Sequence, residues 1–275
     1  SHLDMLVEAD ATLGLFINEL KKLGELENTL IIFTSDNGGL SRGPIGKSRA
    51  GHNSNEGLRG SKAQIYEGGH RVPLIISWGY GNKNSPIRDG SRNSALIGLQ
   101  DFFATFAELT NQSMDTGDGL DSQSFFKILI GDQNTSSRDT LLAQANNNNT
   151  FGQMSKKMIR ENSWKLITNK DLAPLELYNL ATDLLEQNNR IDEREQQDRV
   201  KRMHQSIKNI FKSKRSTKPY VAGNDSKNST PNQIHQKELF AARANLLCKI
   251  KSTSGVKIQD WNQKWKVSGK SPLKI

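Results

Sequence analysis

Apolar residues recur at helical spacing along the first 23 residues and then give way to continuous apolar runs. The helical set is Leu6, Leu13, Phe16, Ile17, Leu20 and Leu23. Gly24 follows at the position where a glycine commonly ends a helix. Residues 29–34 and 72–77 are apolar and β-branched without alternation, which predicts buried strands in a sheet covered on both faces. A helix, a strand, a long loop and a second strand together predict α/β architecture.

The middle of the chain continues with a second helical stripe and then changes texture. The stripe consists of Ala95, Leu96, Leu99, Phe102, Phe103, Phe106 and Leu109, and its aromatic residues are expected in the core. Short strand-like runs follow at 141–145, 153–160, 164–168 and 175–178, separated by turn-rich segments. Residues from about 186 to 212 are predicted to continue as a helix with an imperfect apolar face, made of Ile191, Val200, Met203, Ile207, Ile210 and Phe211.

Composition bounds the class of protein. A chain of 275 residues with 34% hydrophobic residues can bury a core. No apolar run approaches the roughly 18 to 20 residues that span a bilayer, so no transmembrane helix is expected. The single cysteine, Cys248, excludes an internal disulfide framework.

The net charge of +9 is concentrated at one end of the chain. Residues 1–195 carry a balance of −5, whereas residues 196–275 carry +14. Such a basic tail suits a polyanion, for example a sulfated glycan, nucleic acid or an acidic surface. The competing interpretation is a solvated, poorly ordered extension, which is favoured because aromatic residues are few and no specific nucleic-acid recognition motif is present.

The candidate chemistry begins where the first strand ends, in the sequence Ser-Asp-Asn-Gly-Gly at 35–39. The carboxylate of Asp36 and the amide of Asn37 are hard oxygen ligands, which suit Ca²⁺ better than a softer metal. Lys62 follows a flexible Gly-Ser pair and can reach an anion bound to the same metal. The same residues are also compatible with an ordinary turn and an ordinary surface lysine.

These motifs resemble those of the sulfatase family. The family carries Ser-Asp-Asn-Gly after a strand, followed by segments similar to Arg-Gly-Ser-Lys at 59–62 and Tyr-Glu-Gly-Gly-His-Arg-Val-Pro at 66–73. The resemblance implies an alkaline-phosphatase-like α/β domain with flanking helices, a bound Ca²⁺ and a formylglycine nucleophile made from a Cys-x-Pro/Ser-x-Arg motif. Trp-Lys-Leu-Ile at 164–167 and Glu-Leu-Tyr-Asn-Leu at 176–180 resemble the small antiparallel subdomain of sulfatases.

The resemblance also implies roles for individual residues. Asp36 and Asn37 would ligate Ca²⁺, and Lys62 would contact the sulfate. Arg59 is either a second anion contact or a structural partner of Glu67 or Glu56. Two histidines are further candidates, and each could either take part in the reaction or only stabilise its loop. His52 is expected to contact substrate or donate a proton to the leaving group, with a plain loop histidine as the alternative, whereas His70 is expected to fix loop geometry.

The expected activity is hydrolysis of sulfate esters, plausibly of sulfated polysaccharides, in a periplasmic or extracellular setting. Cys248 does not stand in the nucleophile motif, so the formylglycine and the remaining Ca²⁺ ligands are expected upstream, and this chain alone is expected to be inactive. Two alternatives are a non-enzymatic polyanion-binding protein and another phosphohydrolase of the same superfamily. The predicted domains are 1–137 (part of the catalytic domain), 138–212 (antiparallel subdomain with a following helix) and 213–275 (basic tail).

Overall fold

The computed structural model describes residues 2–40, 53–79, 85–87, 90–115, 117–134, 138–145 and 155–213. All of these residues fall within one compact unit. The front region, as far as residue 134, contains α1 (His2–Lys22), a 3₁₀ turn (Leu26–Asn28), β1 (Leu30–Thr34), α2 (Glu67–His70), β2 (Leu74–Trp78), α3 (Asp101–Leu109) and α4 (Phe126–Leu129). The back region contains β3 (Thr140–Gln144), β4 (Lys156–Glu161), β5 (Trp164–Asn169), β6 (Pro174–Asn179), a second 3₁₀ turn (Arg194–Gln196) and α5 (Gln197–Lys212).

The two front strands pair with each other in antiparallel register, with Ile32 opposite Ile76. The expectation that both strands are buried on both faces is wrong for the described residues. Phe33 in β1 is 39% exposed and Ile75 in β2 is 63% exposed. Phe33 lies opposite Ile75 in the pair, so the two side chains share one face, and that face stays open in the described part of the chain.

Helix α3 is shorter than its apolar stripe predicts, because it begins at Asp101 rather than near residue 95. The Asp101 carboxylate accepts a hydrogen bond from Gly98 N at 2.8 Å, which closes a turn just before the helix. The expectation that the aromatic residues of this stripe lie in the core is also only partly right. Phe102 packs edge-on against the buried ring of Phe125, whereas Phe103, at 51%, is exposed.

The back region confirms the predicted short strands and their antiparallel arrangement. Strands β3 to β6 form a four-stranded sheet in sequence order. One face of the sheet packs on α5, with Leu166 and Ile159 against Met203 and Ile207. The predicted apolar face forms, but the helix begins at Gln197 rather than near residue 186, so Ile191 packs on the sheet from the segment before it. The opposite face packs on the front region through Met158, Ile167 and Tyr178, which contact Ile65 and Tyr66.

Several predictions fall on residues that the structure does not describe. These are His52 and the basic tail beyond residue 213. Within the described ranges, no helix is long and apolar enough to cross a membrane. The three predicted domains stay predictions.

Candidate metal and anion site after the first strand

The loop that follows β1 presents two oxygen-bearing side chains. Ser35 Oγ donates to Asn37 O at 2.9 Å, and Asn37 Nδ2 donates to Gly38 O at 3.0 Å. Because the amide nitrogen of Asn37 is used within the loop, its Oδ1 is the atom left to accept a hydrogen bond or bind a cation. The neighbouring Asp36 side chain is exposed. A carboxylate and an amide oxygen are the donor set that Ca²⁺ prefers, so the residues fit the expected ion.

Two glycines bring this loop into direct backbone contact with other loops. Gly38 N donates to Gly69 O at 3.0 Å. A Cβ atom on Gly38 would lie 1.8 Å from Gly68 O, and one on Gly39 would lie 2.2 Å from Ser54 Oγ. No side chain fits in either place, which explains the Gly-Gly pair that ends the motif.

Lys62 lies on the loop that contacts this glycine pair. Lys62 N donates to Gly39 O at 2.9 Å, so the lysine and the Asp36–Asn37 segment belong to adjacent, hydrogen-bonded loops. Asn55 holds the two loops together, since its Oδ1 accepts from Gly39 N at 2.7 Å and its Nδ2 donates to Gly60 O at 2.8 Å. The Lys62 side chain is exposed. The structure thus places the loop that carries Lys62 next to the loop that carries Asp36 and Asn37.

Arg59 has a structural role, which was one of the two roles expected from the sequence, but its partners are not Glu67 or Glu56. Its guanidinium donates to Tyr178 Oη at 2.7 Å and to Glu186 O at 2.8 Å, and it lies 3.4 Å from Glu176 Oε2. It also stacks 3.8 Å above the ring of Tyr66. The partners expected from sequence were Glu67 and Glu56. A contact between Arg59 and the substrate anion stays a prediction.

Behind these loops is a group of buried charges that sequence reasoning missed. Lys165 Nζ donates to Glu67 Oε1 at 2.9 Å and forms an ion pair with Glu186 Oε1 at 2.8 Å. Burial alone would raise the pKa of Glu67, but the Lys165 ammonium holds that pKa below its usual range. At Glu186 burial prevails, and the pKa of this carboxyl is raised.

His70 adjoins the same group and fixes loop geometry, as its sequence context predicts. Its Nε2 lies 3.0 Å from Ile65 O and 3.2 Å from Lys165 Nζ. Burial, and after it the Lys165 ammonium, lower the pKa of His70 to about 4. The imidazole is therefore neutral at physiological pH.

A signal for the buried group was present in the sequence. Lys165 interrupts the apolar strand of the Trp-Lys-Leu-Ile motif, and it lies two residues before Ile167, on the face that packs against the front region. A lysine on a buried face requires an acidic partner. The partners themselves, Glu67 and Glu186, are 98 residues before and 21 residues after it along the chain, so no local pattern could identify them.

Comparison with known proteins assigns the chain to a family. Residues 1–112 match the family described as Sulfatase, and residues 60–213 match the family described as N-sulphoglucosamine sulphohydrolase, C-terminal. An N-acetylgalactosamine-6-O-sulfatase of Bacteroides thetaiotaomicron is 31% identical over 204 residues, which cover 68% of this chain and 37% of the relative. The steryl-sulfatase of Rattus norvegicus is 32% identical over 145 residues, covering 52% and 24%. The chain belongs to the sulfatase family.

Solved structures support the same assignment. One comes from a study of glycosaminoglycan metabolism by Bacteroides thetaiotaomicron, with a TM-score of 0.63, 27% identity and coverage of 75% of this chain and 44% of that one. Another, bound to a neocarrahexaose, has a TM-score of 0.58, 26% identity and coverage of 73% and 40%. The predicted sulfatase fold is confirmed, and the chain spans less than half of the length of each of the proteins named here.

Proposed function

We propose that this chain supplies one wall of the active site of a sulfuric ester hydrolase. In this proposal Asp36 and Asn37 bind Ca²⁺, and Lys62 contacts the sulfate group. The observation that carries it is the hydrogen bond of 2.9 Å from Lys62 N to Gly39 O, because that bond places the cation-binding loop and the lysine loop side by side. Among the described residues, no group of three or more His, Cys, Asp or Glu side chains could hold a metal alone, so further ligands complete the shell.

Each of these residues has a distinct task. When bound, Ca²⁺ supplies a positive charge that holds and polarises the sulfate oxygens. Asn37 offers Oδ1 to the ion because its Nδ2 is engaged with Gly38 O. Lys62 offers a compact ammonium that neutralises charge on the ester oxygen as the bond to the leaving group breaks. The proposed role of His52 is substrate contact or proton donation to that leaving group, and Arg59 remains a candidate second anion contact.

The atom that attacks sulfur is proposed to come from a residue outside this sequence. The single cysteine, Cys248, is followed by Lys-Ile-Lys-Ser and so does not match the Cys-x-Pro/Ser-x-Arg motif from which formylglycine is made. We therefore expect no turnover of an aryl sulfate by this chain alone. Joined in a continuous reading frame to a segment that carries the nucleophile motif, it should form an active enzyme.

A sulfated glycan is the proposed substrate class. A relative acts on N-acetylgalactosamine 6-O-sulfate by its name, and a structural neighbour was solved with a bound neocarrahexaose. We propose a periplasmic or extracellular location with this substrate, because sulfated polysaccharides lie outside the cytoplasm. Fractionation of cells that express the natural gene tests the location.

Calcium binding by the joined protein, in which the upstream ligands are present, tests the metal site directly. Titration calorimetry is carried out on the joined wild type, on its Asp36→Ala variant and on its Asp10→Ala variant, which removes an exposed carboxylate from α1. The expected result is binding by the wild type and by Asp10→Ala, with loss of binding in Asp36→Ala. Equal binding by all three proteins would remove Asp36 from the site.

Activity of the joined protein tests the role of Lys62. Removing a cation that stabilises transition-state charge typically lowers kcat by about 10²- to 10³-fold, which is the effect expected for Lys62→Met. Lys127→Met, an exposed lysine in α4, serves as the matched control and should leave the rate unchanged. Turnover of phosphate esters in preference to sulfate esters, together with an upstream Ser or Thr nucleophile, would instead support the phosphohydrolase alternative.

A further inference from the structure

The buried charges between α2 and β5 have no part in the proposed chemistry. Lys165, Glu67 and Glu186 have side-chain exposures of 0%, 1% and 0%. Arg71 adds a cation at the edge of this group, since its Nη1 lies 3.3 Å from Glu67 Oε2. Two carboxylates and two cations therefore balance each other at a site that is almost closed to water.

Such a group is not the most stabilising way to fill a protein interior. Desolvation of two or three charges offsets most of their attraction, and apolar side chains of similar size often stabilise a fold equally well or better. Ile167, two residues along the same strand, shows that this face of β5 accepts an apolar residue. A hydrogen-bonded ion cluster instead fixes the geometry of the groups it joins. The segment that this cluster holds in place therefore indicates what the cluster is for.

That segment is α2, which contacts the back sheet on one side and the proposed calcium loop on the other. On the side of the back sheet, Glu186 Oε2 accepts from Glu67 N at 2.7 Å, and Lys165 binds the Glu67 carboxylate. On the side of the proposed site, Gly69 O accepts a hydrogen bond from Gly38 N at 3.0 Å. Gly38 directly follows Asn37 in the chain. The short helix thus connects the buried lysine to the proposed calcium loop.

The contacts between α2 and the proposed calcium loop are tightly packed. A Cβ atom on Gly38 would lie 1.8 Å from Gly68 O, and one on Gly69 would lie 2.0 Å from Gln64 O. At both places backbone packs on backbone, so no flexible side chain can absorb a movement of α2. A shift of the helix must therefore pass to the loop, as expected in a close-packed interior.

We propose that Lys165 is a positioning residue of the active site, with Glu186 as its partner. The pair clamps α2, and through Gly69 O it holds the Asp36–Asn37 loop in the conformation that binds the cation. The calcium part of this inference rests on the function proposed above. The positioning of the loop itself does not, and it can be measured without any metal.

Amide hydrogen exchange of metal-free protein tests the positioning. The variant is Lys165→Met, which keeps the length and apolar stem of the side chain and removes its charge. Exchange in residues 35–39 is compared with exchange in the core of α5 around Met203, which reports global unfolding. The matched control is Arg138→Met, which breaks another buried ion pair, the one with Asp101, away from the calcium loop. Faster exchange at 35–39 relative to α5 is expected in Lys165→Met but not in Arg138→Met.

Calcium titration of the joined protein, with the same substitutions, tests the consequence for the site. Loss of a residue that orients a metal ligand typically weakens metal binding about 10- to 100-fold, and this range is expected for Lys165→Met. Arg138→Met should retain the wild-type affinity. Unchanged calcium affinity in Lys165→Met would overturn the link to the metal even if the loop exchanges faster.

The two proposals fail in distinguishable ways. Absence of calcium binding by the joined wild type would overturn the proposed metal site, whereas exchange at 35–39 that follows α5 in Lys165→Met would overturn the positioning role. Glu186→Gln provides a second variant in case Lys165→Met does not fold, because the glutamine retains an oxygen that accepts from Glu67 N. It should raise exchange at 35–39 to a smaller extent, and no rise in this variant would also overturn the proposal.

Discussion

The back sheet with α5 and the front region with α1 and the β1–β2 pair differ sharply in how completely they bury their apolar residues. Met158, Ile167, Met203 and Ile207 of the back region are fully buried. In the front region Phe16 is 49% exposed, in addition to the exposed side chains of Phe33 and Ile75. Since burial of apolar area is the main stabilising contribution to a fold, the stability of the described chain lies mainly in the back region.

The proposed site residues lie in the less well-buried region. Asp36, Asn37 and Lys62 lie on loops of the front region, and these loops are fixed by hydrogen bonds to one another and by charged contacts to the back sheet. The back region therefore holds the closed apolar core, and Lys165 and Arg59 form polar contacts that join it to the loops of the front region.

The largest expected effect tests the claim about the back core. Met203→Ala removes a fully buried side chain and should lower the free energy of unfolding by about 2–5 kcal/mol. Met5→Ala makes the same change in α1, where the side chain is 57% exposed, and should stay within about 0.5 kcal/mol of wild type. Urea unfolding measures both, and equal losses would contradict the contrast between the two regions.

The next effect concerns pH at the junction between the regions. The pKa of His70 is 6.5 in the unfolded chain and about 4 in the folded protein. Below pH 6.5 the unfolded state therefore binds more protons than the folded state, and the free energy of unfolding decreases as the pH is lowered. The neighbouring charges are Lys165, Glu67 and Arg160. The loss from this residue between pH 7 and pH 5 should be about 2 kcal/mol by urea unfolding.

A substitution separates the contribution of His70 from that of other groups. His70→Gln should flatten the slope in this window and leave the part that arises from His204, whose pKa burial also lowers. The raised pKa of Glu186 opposes the loss, because that carboxyl gains protons in the folded state first. An unchanged slope in His70→Gln would show that the histidine is not held neutral in the fold.

A smaller effect is expected for the second contact between the regions. Arg59→Lys loses the planar fork that donates to Tyr178 Oη and Glu186 O, and it loses the stacking on Tyr66. The free energy of unfolding should fall by about 1–2 kcal/mol. Arg202→Lys, in the more exposed pair with Glu161, should change it by less than about 0.5 kcal/mol. Equal small changes in both variants would argue against Arg59 as a structural contact.

The smallest effect is expected on the open face of the front sheet. Ile75→Thr retains a β-branched side chain in β2 and removes apolar surface that is already 63% exposed. The free energy of unfolding should change by less than about 0.5 kcal/mol in thermal or urea unfolding. A loss above 1 kcal/mol would mean that this face is covered in solution.

The elements with a regular apolar period were predictable from sequence, with one exception. The repeat in residues 6–23 led to α1, although the described part of the chain leaves its stripe largely uncovered, and the set from Val200 to Phe211 led to α5, which buries its stripe on the back sheet. The stripe at 95–109 was misleading because Asp101 accepts hydrogen bonds from Gly98 N and Gln123 N, which start the helix late. No periodicity contains information about such a partner 22 residues away.

The sequence by itself determined the family, the order of most helices and strands, and the candidates Asp36, Asn37 and Lys62, because motif, spacing and hydrophobic period are local properties. Only the tertiary structure decided that Lys62 N binds Gly39 O, that Arg59 belongs to the back sheet and that Lys165 pairs with Glu67 and Glu186. These pairings join residues up to 127 positions apart, and they depend on how two regions pack. Packing is set by the balance of burial and charge over the whole fold, which no short segment contains.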